Sequence, residues 1–597
     1  MEKNRNTNRY GSQAGGQFGR SGKWAYRLCA VLAFAAGACG IAYWNLRTHG
    51  ALYLQSDDGD LYISIARNLL ETGHFIQTAR PIANFVVPPG LPFVTTVLLF
   101  LFGNMSEFLV GAGIAEHVLG TRADMLGVLG FQYAVYGVAA ALIAVTALKL
   151  AENGVGALQR GLFAWQKSGA EPVEAQKKTQ AALPWILAGV IGVAAPAFYL
   201  YCSIQIRHPN PGFVLTENYV VCLIALVVWL AVTHADPRKI VVTAFVLMLF
   251  RPAYSLLFVG ALVWTVVLVV RDRMGKQHIR QREWLYSLLV MLAVFAAILG
   301  VNAAVNWIET GHAIALEDYG NLDVYLANNE AAPADWYHSG KVPEFASARY
   351  NEIVSDPALT RYEQNELAGQ ALHEYVAANT GTVVRNACTR FYKLYFETWS
   401  VVWCAFLVCF ALQMVLKGLK WPNKAYLGGV TVILSVLPAF GLLVARYSAP
   451  MLPLFVAVIV GTLGQAACAI ATKPVGKAVP VVEPEAVVES APVEEPATVP
   501  EPVEGTKVEE KQEEPANGAS TSSAPVEVPV APEPAPVEEP APVEEKIEEP
   551  KAEEPHKPIS LAEEIRTKSA HELAAELFPK KPKLNAPENS PEPPIAK

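Results

Sequence analysis

Charge is scarce in this chain. Only 17% of its 597 residues are Asp, Glu, Lys or Arg, while 52% are hydrophobic. Apolar stretches of about 20 residues recur through the first 472 residues, which excludes a soluble globular enzyme. A disulfide framework is also missing. Cys29, Cys39, Cys222, Cys404, Cys409 and Cys468 lie inside apolar runs, where cysteine behaves as a small hydrophobe. The basic residues sit in short clusters between apolar runs and form no continuous basic face, so the pattern is not that of a nucleic-acid binder. The run Trp24 to Leu46 lacks a small-residue cleavage site and is too long for a secretory signal, so it reads as a retained first span.

What is present divides the chain in two. Residues 473–597 hold 27 of the 55 acidic residues, 13 of the 47 basic ones and 24 of the 42 prolines, a net charge of −14. The remainder is at +6. The tail repeats units such as APVEEPAPVEE, which cannot bury a core and stay extended and disordered. Within it, Ser560 and Glu563 fit a capping box, and Leu561, Ile565, Leu573 and Leu577 share one helix face. A short helix at 560–578 is either a transient turn in a spacer or a docking element for a cytoplasmic partner.

The fold expected is an all-α polytopic membrane protein with about 10–12 transmembrane helices. The basic leader 1–23 places the N-terminus in the cytoplasm. Spans are expected near 24–46, 126–148, 183–203, 213–233, 238–250, 253–270, 284–306, 393–416, 425–445 and 447–471. The short apolar piece Leu91 to Phe102 reads as half of a hairpin with 106–120 or as a re-entrant segment. Three basic connections, at 149–182, 271–283 (RDRMGKQHIRQRE) and 417–424 (KGLKWPNK), fall on the cytoplasmic side of this threading. The units are then the leader 1–23, an N-terminal module 24–307 with a first outer loop 47–90, an extracytoplasmic segment 308–392, C-terminal helices 393–472 and the tail 473–597. Helical spacing from Thr360 to Tyr392 predicts short helices in the second half of the outer segment. Both termini face the cytoplasm.

Threading the spans through the basic loops brings four charged positions to the same outer side. They are the acidic cluster Asp57-Asp58-Gly59-Asp60, then Glu217, Arg251 and Arg446. Charge near a membrane interior is costly and marks function. Each position also has a bland reading. An acid after a first span is ordinary solvated interface, Glu217 is a first-turn helix residue favoured by the helix dipole, and each arginine is a snorkelling anchor. Two acids and two arginines at one interface suit acid–base chemistry on an anionic, lipid-linked substrate, because arginine pairs with phosphate oxygens and keeps its charge when partly desolvated.

The segment DGDLYISIARNLLETGHF, followed by VPPGLPFVTTVLLFLFG, resembles the first extracytoplasmic loop of the GT-C membrane glycosyltransferases. It is most similar to glycosyltransferase family 39, which includes protein O-mannosyltransferases, and to the lipid A aminoarabinose transferases. The shared pattern falls on Asp58, Tyr62, Ala66, Asn68, Gly73, Phe75, Pro88 and Pro89. Thr216–Glu217, Arg251–Pro252 and Arg446–Tyr447 with Pro450 resemble further family motifs, and together these stretches span most of 24–471. Many relatives carry Asp-Glu where this chain has Asp58-Gly59.

The resemblance implies an inverting transferase at the cell inner membrane with an extracytoplasmic active site. A polyprenyl-phosphate sugar is the donor; the acceptor is a hydroxyl on protein, lipid or glycan. Asp58 is the expected base, with Asp57 beside it, and Glu217 orients the acceptor or supports Asp58. Arg251 and Arg446 hold the lipid phosphate, and Tyr62, Asn68, Pro88 and Pro89 complete the binding motif. No cofactor is called for, and a divalent metal is compatible with the acids but not indicated by them. A transporter or scaffold with an acidic first loop would carry the same basic-loop pattern. Glycan polymerases and ligases also use lipid-linked donors.

Overall fold

The computed structural model describes residues 19–75, 86–111, 125–163, 174–273, 278–338, 342–416, 419 and 421–471. The leader before 19, the 106–120 hairpin partner beyond 111, the tail and its expected helix at 560–578 lie outside the described residues. Among those described there is no strand, only an isolated parallel bridge between Trp336 and Leu443.

Among the described residues nine helices make up the first part: α1 (Gly19–His49), α2 (Asp57–Thr72), α3 (Gly90–Gly111), α4 (Leu126–Phe163), α5 (Glu174–Ile206), α6 (Thr216–Val232), α7 (Pro237–Phe250), α8 (Ser255–Arg273) and α9 (His278–Thr310). The polar segment follows with α10 (Gly320–Ala327), α11 (Val342–Phe345), α12 (Ala348–Ser355), α13 (Arg361–Ala378) and α14 (Thr380–Tyr392). Three apolar helices close the described chain: α15 (Ser400–Val415), α16 (Trp421–Val436) and α17 (Leu452–Ala471).

Among the described residues seven helices are long and apolar enough to cross a membrane, or eight if the pair Thr380–Glu397 and Ser400–Val415, bent by 94°, is one span. The chain is thus an all-α, multi-pass membrane protein, and the described residues hold fewer full-length spans than the ten to twelve expected. The shortfall has a physical reason. The apolar runs at 213–233 and 238–250 fold as α6 and α7, of 17 and 14 residues. At 1.5 Å per residue they reach only about 25 and 21 Å, short of a hydrocarbon core of about 30 Å. The short piece beginning at Leu91 likewise folds within α3, whose described apolar part runs Gly90–Phe102.

Helix α4 is the hub, packing against α1, α5, α6 and α17. Lipid offers no hydrophobic drive between helices, so close approach through small residues must supply dispersion contacts. At the α4–α17 crossing a Cβ on Gly461 would lie 2.9 Å from the Ala147 carbonyl oxygen. Helices α8 and α9 instead expose Val259, Val263, Val267, Leu289, Val290 and Val301. An apolar stripe left open on a spanning helix is the face it turns to lipid.

Short helices were expected only in the second half of 308–392, where α13 and α14 form. The first half also folds, as α10 to α12. Leu322 and Tyr325 of α10 bury against Ile353, Ala368 and Ala371 within the segment, while Leu326 and Phe345 bury against Leu442 outside it. Thr360 and Glu363 form a reciprocal capping box that starts α13. The buried Arg390 donates to the carbonyls of Ala327 and Pro333 and to Asn328, which fixes α14 beneath the end of α10.

Substituting Gly461→Leu should overpack the α4–α17 crossing and cost about 1–3 kcal/mol. Thermal unfolding in detergent should show a lower midpoint, and an unchanged midpoint would contradict the close crossing.

Candidate functional site

The charged positions singled out in the sequence lie on elements that meet at one end of the bundle. Ser56 caps α2 by accepting from the Gly59 amide at 3.1 Å, which leaves Asp57 and Asp58 in the first turn. Glu217 is in the first turn of α6, where the helix dipole favours a carboxylate. Pro252 cannot continue α7 and biases its predecessor away from helical geometry, so Arg251 is extended, with φ −153° and ψ 103°. Arg446 lies in the 3-10 turn Ala445–Met451 that leads into α17.

These four side chains form one ion cluster. Arg251 Nη1 donates to Glu217 Oε1 at 3.0 Å, and Arg446 Nε lies 3.7 Å from the same oxygen. Arg446 Nη1 donates to Asp58 Oδ2 at 3.0 Å. Tyr447 lies beneath both cations, its ring centroid 4.6 Å from the Arg251 guanidinium and 5.6 Å from that of Arg446. Exposure separates the two acids. The Glu217 side chain is 4% exposed and that of Asp58 is 50% exposed. An exposed pair contributes about 0–1 kcal/mol, whereas removing one partner of a buried pair costs about 3–5 kcal/mol. Glu217 is therefore a fixed countercharge, and Asp58 is held by an exchangeable bridge.

The remaining expected residues divide. Tyr62 lies one turn along α2 and is within electrostatic reach of Asp58, Glu217 and both arginines. Asp57 is exposed and pairs with neither arginine. Asp60 is engaged by Tyr53 at 3.1 Å and Gln55 at 2.9 Å. Asn68 is not brought to the cluster. It donates to the His74 carbonyl and accepts from Thr72 at the far end of α2, about 15 Å along the helix from Asp58. Pro88 is buried, and Pro89 accepts from the Phe93 amide as α3 begins. The first residue of α3 lies against Leu249 and Phe250, so this Pro-Pro pair positions the backbone that leads into Arg251. The Asp58-Gly59 departure also has a cause. A Cβ at Gly59 would stand 2.7 Å from Ser56 Oγ and 3.3 Å from the Val214 carbonyl, so a second acid there would be crowded.

Buried amides align the elements. Asn45, near the end of α1, exchanges hydrogen bonds of 2.7 and 2.9 Å with Asn210 and donates to Tyr133 of α4 at 2.7 Å. The Leu54 amide donates to Gly212 at 2.9 Å, so the approach to α2 and the turn before α6 are tied together. That turn carries His208, which faces Glu217, Arg446, Asp58 and Arg251, and burial pushes its pKa below the usual histidine range.

The polar segment adds two acids that sequence reasoning did not single out. Asp318 locks the loop before α10 to the approach to α3: its carboxylate accepts from the Val86 amide at 3.2 Å, and its own amide donates to Val86 at 3.3 Å. Asn365 holds the start of α10 by accepting from the Asn321 amide at 2.9 Å. Between these anchors Tyr319 packs with Tyr62 against Ile65, Phe75 and Val87. Glu317 and Asp323 are thereby placed within electrostatic reach of Arg251. Burial, reinforced by the nearby Asp323 charge, pushes the Glu317 carboxyl up to about 7. Asp323 is exposed in the first turn of α10. Acids in a polar segment carry no periodic or spacing signal, so only the fold singles them out. Among the described residues no three His, Cys, Asp or Glu side chains converge as a metal-ligand set.

No protein-family model, curated protein or solved structure matches the chain.

Glu217→Gln removes the charge that both arginines share while keeping shape. It should lower stability by about 3–5 kcal/mol, and Asp58→Asn by less than about 1 kcal/mol. Thermal unfolding of the two variants side by side tests this, and equal losses would refute the division between fixed and exchangeable acids.

Proposed function

We propose that this protein is a GT-C-like inverting membrane glycosyltransferase. It moves a hexose or pentose from a polyprenyl-phosphate carrier to a hydroxyl acceptor on the extracytoplasmic side of the cell inner membrane. One observation carries the reading: two recessed arginines share a buried glutamate, and the second arginine also holds an exposed aspartate. The motif resemblance around Asp58, Glu217, Arg251 and Arg446 supports it.

The charge balance assigns the roles. Glu217 offsets about one unit of the arginine pair, and Asp58 offsets the other. An incoming phosphodiester carries one negative charge and takes the place of Asp58 on Arg446. Arginine suits this exchange because its planar fork grips phosphate oxygens and stays ionised when water is excluded. Displacement leaves Asp58 beside the sugar with its carboxylate unoccupied. The acceptor oxygen then attacks the anomeric carbon, and its proton passes to Asp58. As the new C–O bond forms, the bond from the anomeric carbon to the phosphate oxygen breaks. The electron pair leaves on the lipid phosphate, whose developing charge Arg251 and Arg446 stabilise. Glu217 positions the arginines rather than touching the acceptor. The apolar helices around the cluster provide the surface along which the isoprenoid chain lies.

In purified protein supplied with labelled polyprenyl-phosphate hexose, Asp58→Asn should lower turnover by roughly 100-fold or more while donor KM changes little. Arg446→Lys keeps the charge, loses the fork and should raise donor KM markedly. Asp57→Asn should stay near normal. Near-normal turnover in the Asp58 variant, with loss in the Asp57 variant, would transfer the base role to Asp57.

A further inference from the structure

We propose that α14 is a membrane-surface helix whose exposed apolar face rests on the lipid headgroup boundary, at the level of the turn that carries Arg446. This seat does not depend on whether the cluster transfers a sugar. Its ground is a bend. Helix α15 holds no charged residue and leaves Val401, Val408, Leu412 and Val415 exposed, a stripe suited to hydrocarbon. Helix α14 meets it at 94°. A helix in hydrocarbon tilts by about 20° on average from the bilayer normal, so a partner at right angles to it runs close to the membrane plane. The bend is rigid. Trp399 donates from Nε1 to Ser448 Oγ at 2.9 Å, and the Tyr395 ring stacks on Trp403 at 4.5 Å. Trp399 and Trp403 pack edge-on against Phe455 of α17, at 5.9 and 5.8 Å. Ser448 shares one 3-10 turn with Arg446, so the plane of α14 is also the level of that arginine.

The two faces of α14 meet different surroundings. On one, Val383, Ala387 and Arg390 are buried, and Arg390 bonds the end of α10. Cys388 and Tyr392 each stand two residues from Arg390, about 200° around the helix and so nearly opposite. Val384 is 50% exposed and Tyr392 57%, and with the exposed Cys388 they form one stripe turned away from the polar segment. The stripe does not stop at the end of the helix. Tyr392 stacks on Phe396 at 5.5 Å, and the exposed Val401 follows. The face of α14 thus runs into the lipid-facing stripe of α15, and lipid is the occupant that continues both. Charge agrees. The helix TGTVVRNACTRFY holds two arginines and no acid, and Arg385, the exposed one, edges the stripe where anionic headgroups would meet it.

The test places a nitroxide on Cys388 of the full-length chain, with the other cysteines replaced by alanine, in vesicles of about three parts phosphatidylcholine to one of phosphatidylglycerol. Relaxation by oxygen, which partitions into lipid, is compared with relaxation by a water-soluble nickel chelate. A label on Glu352→Cys, at an exposed position of α12, is the water-facing reference. The oxygen-to-nickel ratio at Cys388 should be about tenfold above that reference. A second measurement keeps the native cysteines. A lipid-soluble maleimide should modify Cys388 about tenfold faster than a charged, impermeant one, read by peptide mass, while Glu352→Cys reacts with both alike. A ratio equal to the reference, or equal reaction of Cys388 with both maleimides, would overturn the membrane seat. Spectral broadening between labels on two copies would assign the face to self-association and overturn it as well.

Discussion

The arrangement depends on one buried carboxylate. Glu217 lies between Arg251 and Arg446, and its removal would leave two recessed cations sharing a poorly solvated end of the bundle. The local chain is built to place it there. Helices α6 and α7 are too short to span a bilayer on their own. The start of α6 and the end of α7 bring Glu217 and Arg251 together. Pro252 stops α7 at Arg251, and the 3-10 turn before α17 delivers Arg446 from the opposite end of the sequence. Three segments far apart in the chain are thus joined through a single carboxylate group.

A second contrast gives the cluster its chemical use. The pair closed by Glu217 is buried and expensive to break, whereas the Arg446–Asp58 bridge is open to water and inexpensive to exchange. A site made only of buried pairs would hold its arginines but could not release them to a ligand. A site made only of exposed pairs would release them without holding their geometry. In the proposed transferase, combining the two would let an anion enter without dismantling the cluster and would free a carboxylate where the anion arrives.

Much of this was legible in residue order. Long apolar runs and basic connections pointed to a helical membrane bundle. Asp58, Glu217, Arg251 and Arg446 were marked because charge beside apolar runs is costly. The parts that were not legible have specific causes. Hydropathy does not separate a 14-residue helix ending at a proline from a full span, so more spans were expected than the described residues show. Asn68 shares a motif with Asp58, yet helical rise carries it to the other end of α2, where it caps the chain. Gly59 looked like a missing acid, and only the fold shows Ser56 and the Val214 carbonyl crowding the place of a side chain. Glu317 and Asp323 had no signal, since the loop that Asp318 and Asn365 tie down is what places them.

The central claim is that this cluster consumes a lipid-linked sugar. It is tested most directly by reconstituting the purified chain in vesicles with an isotope-labelled polyprenyl-phosphate hexose and solubilised membrane acceptors, then following the anomeric carbon by NMR. The account predicts that the sugar-phosphate signal disappears, free polyprenyl phosphate accumulates, and the new glycosidic bond has the opposite anomeric configuration. An intact donor after prolonged incubation, or a product that retains the donor's configuration, would contradict it.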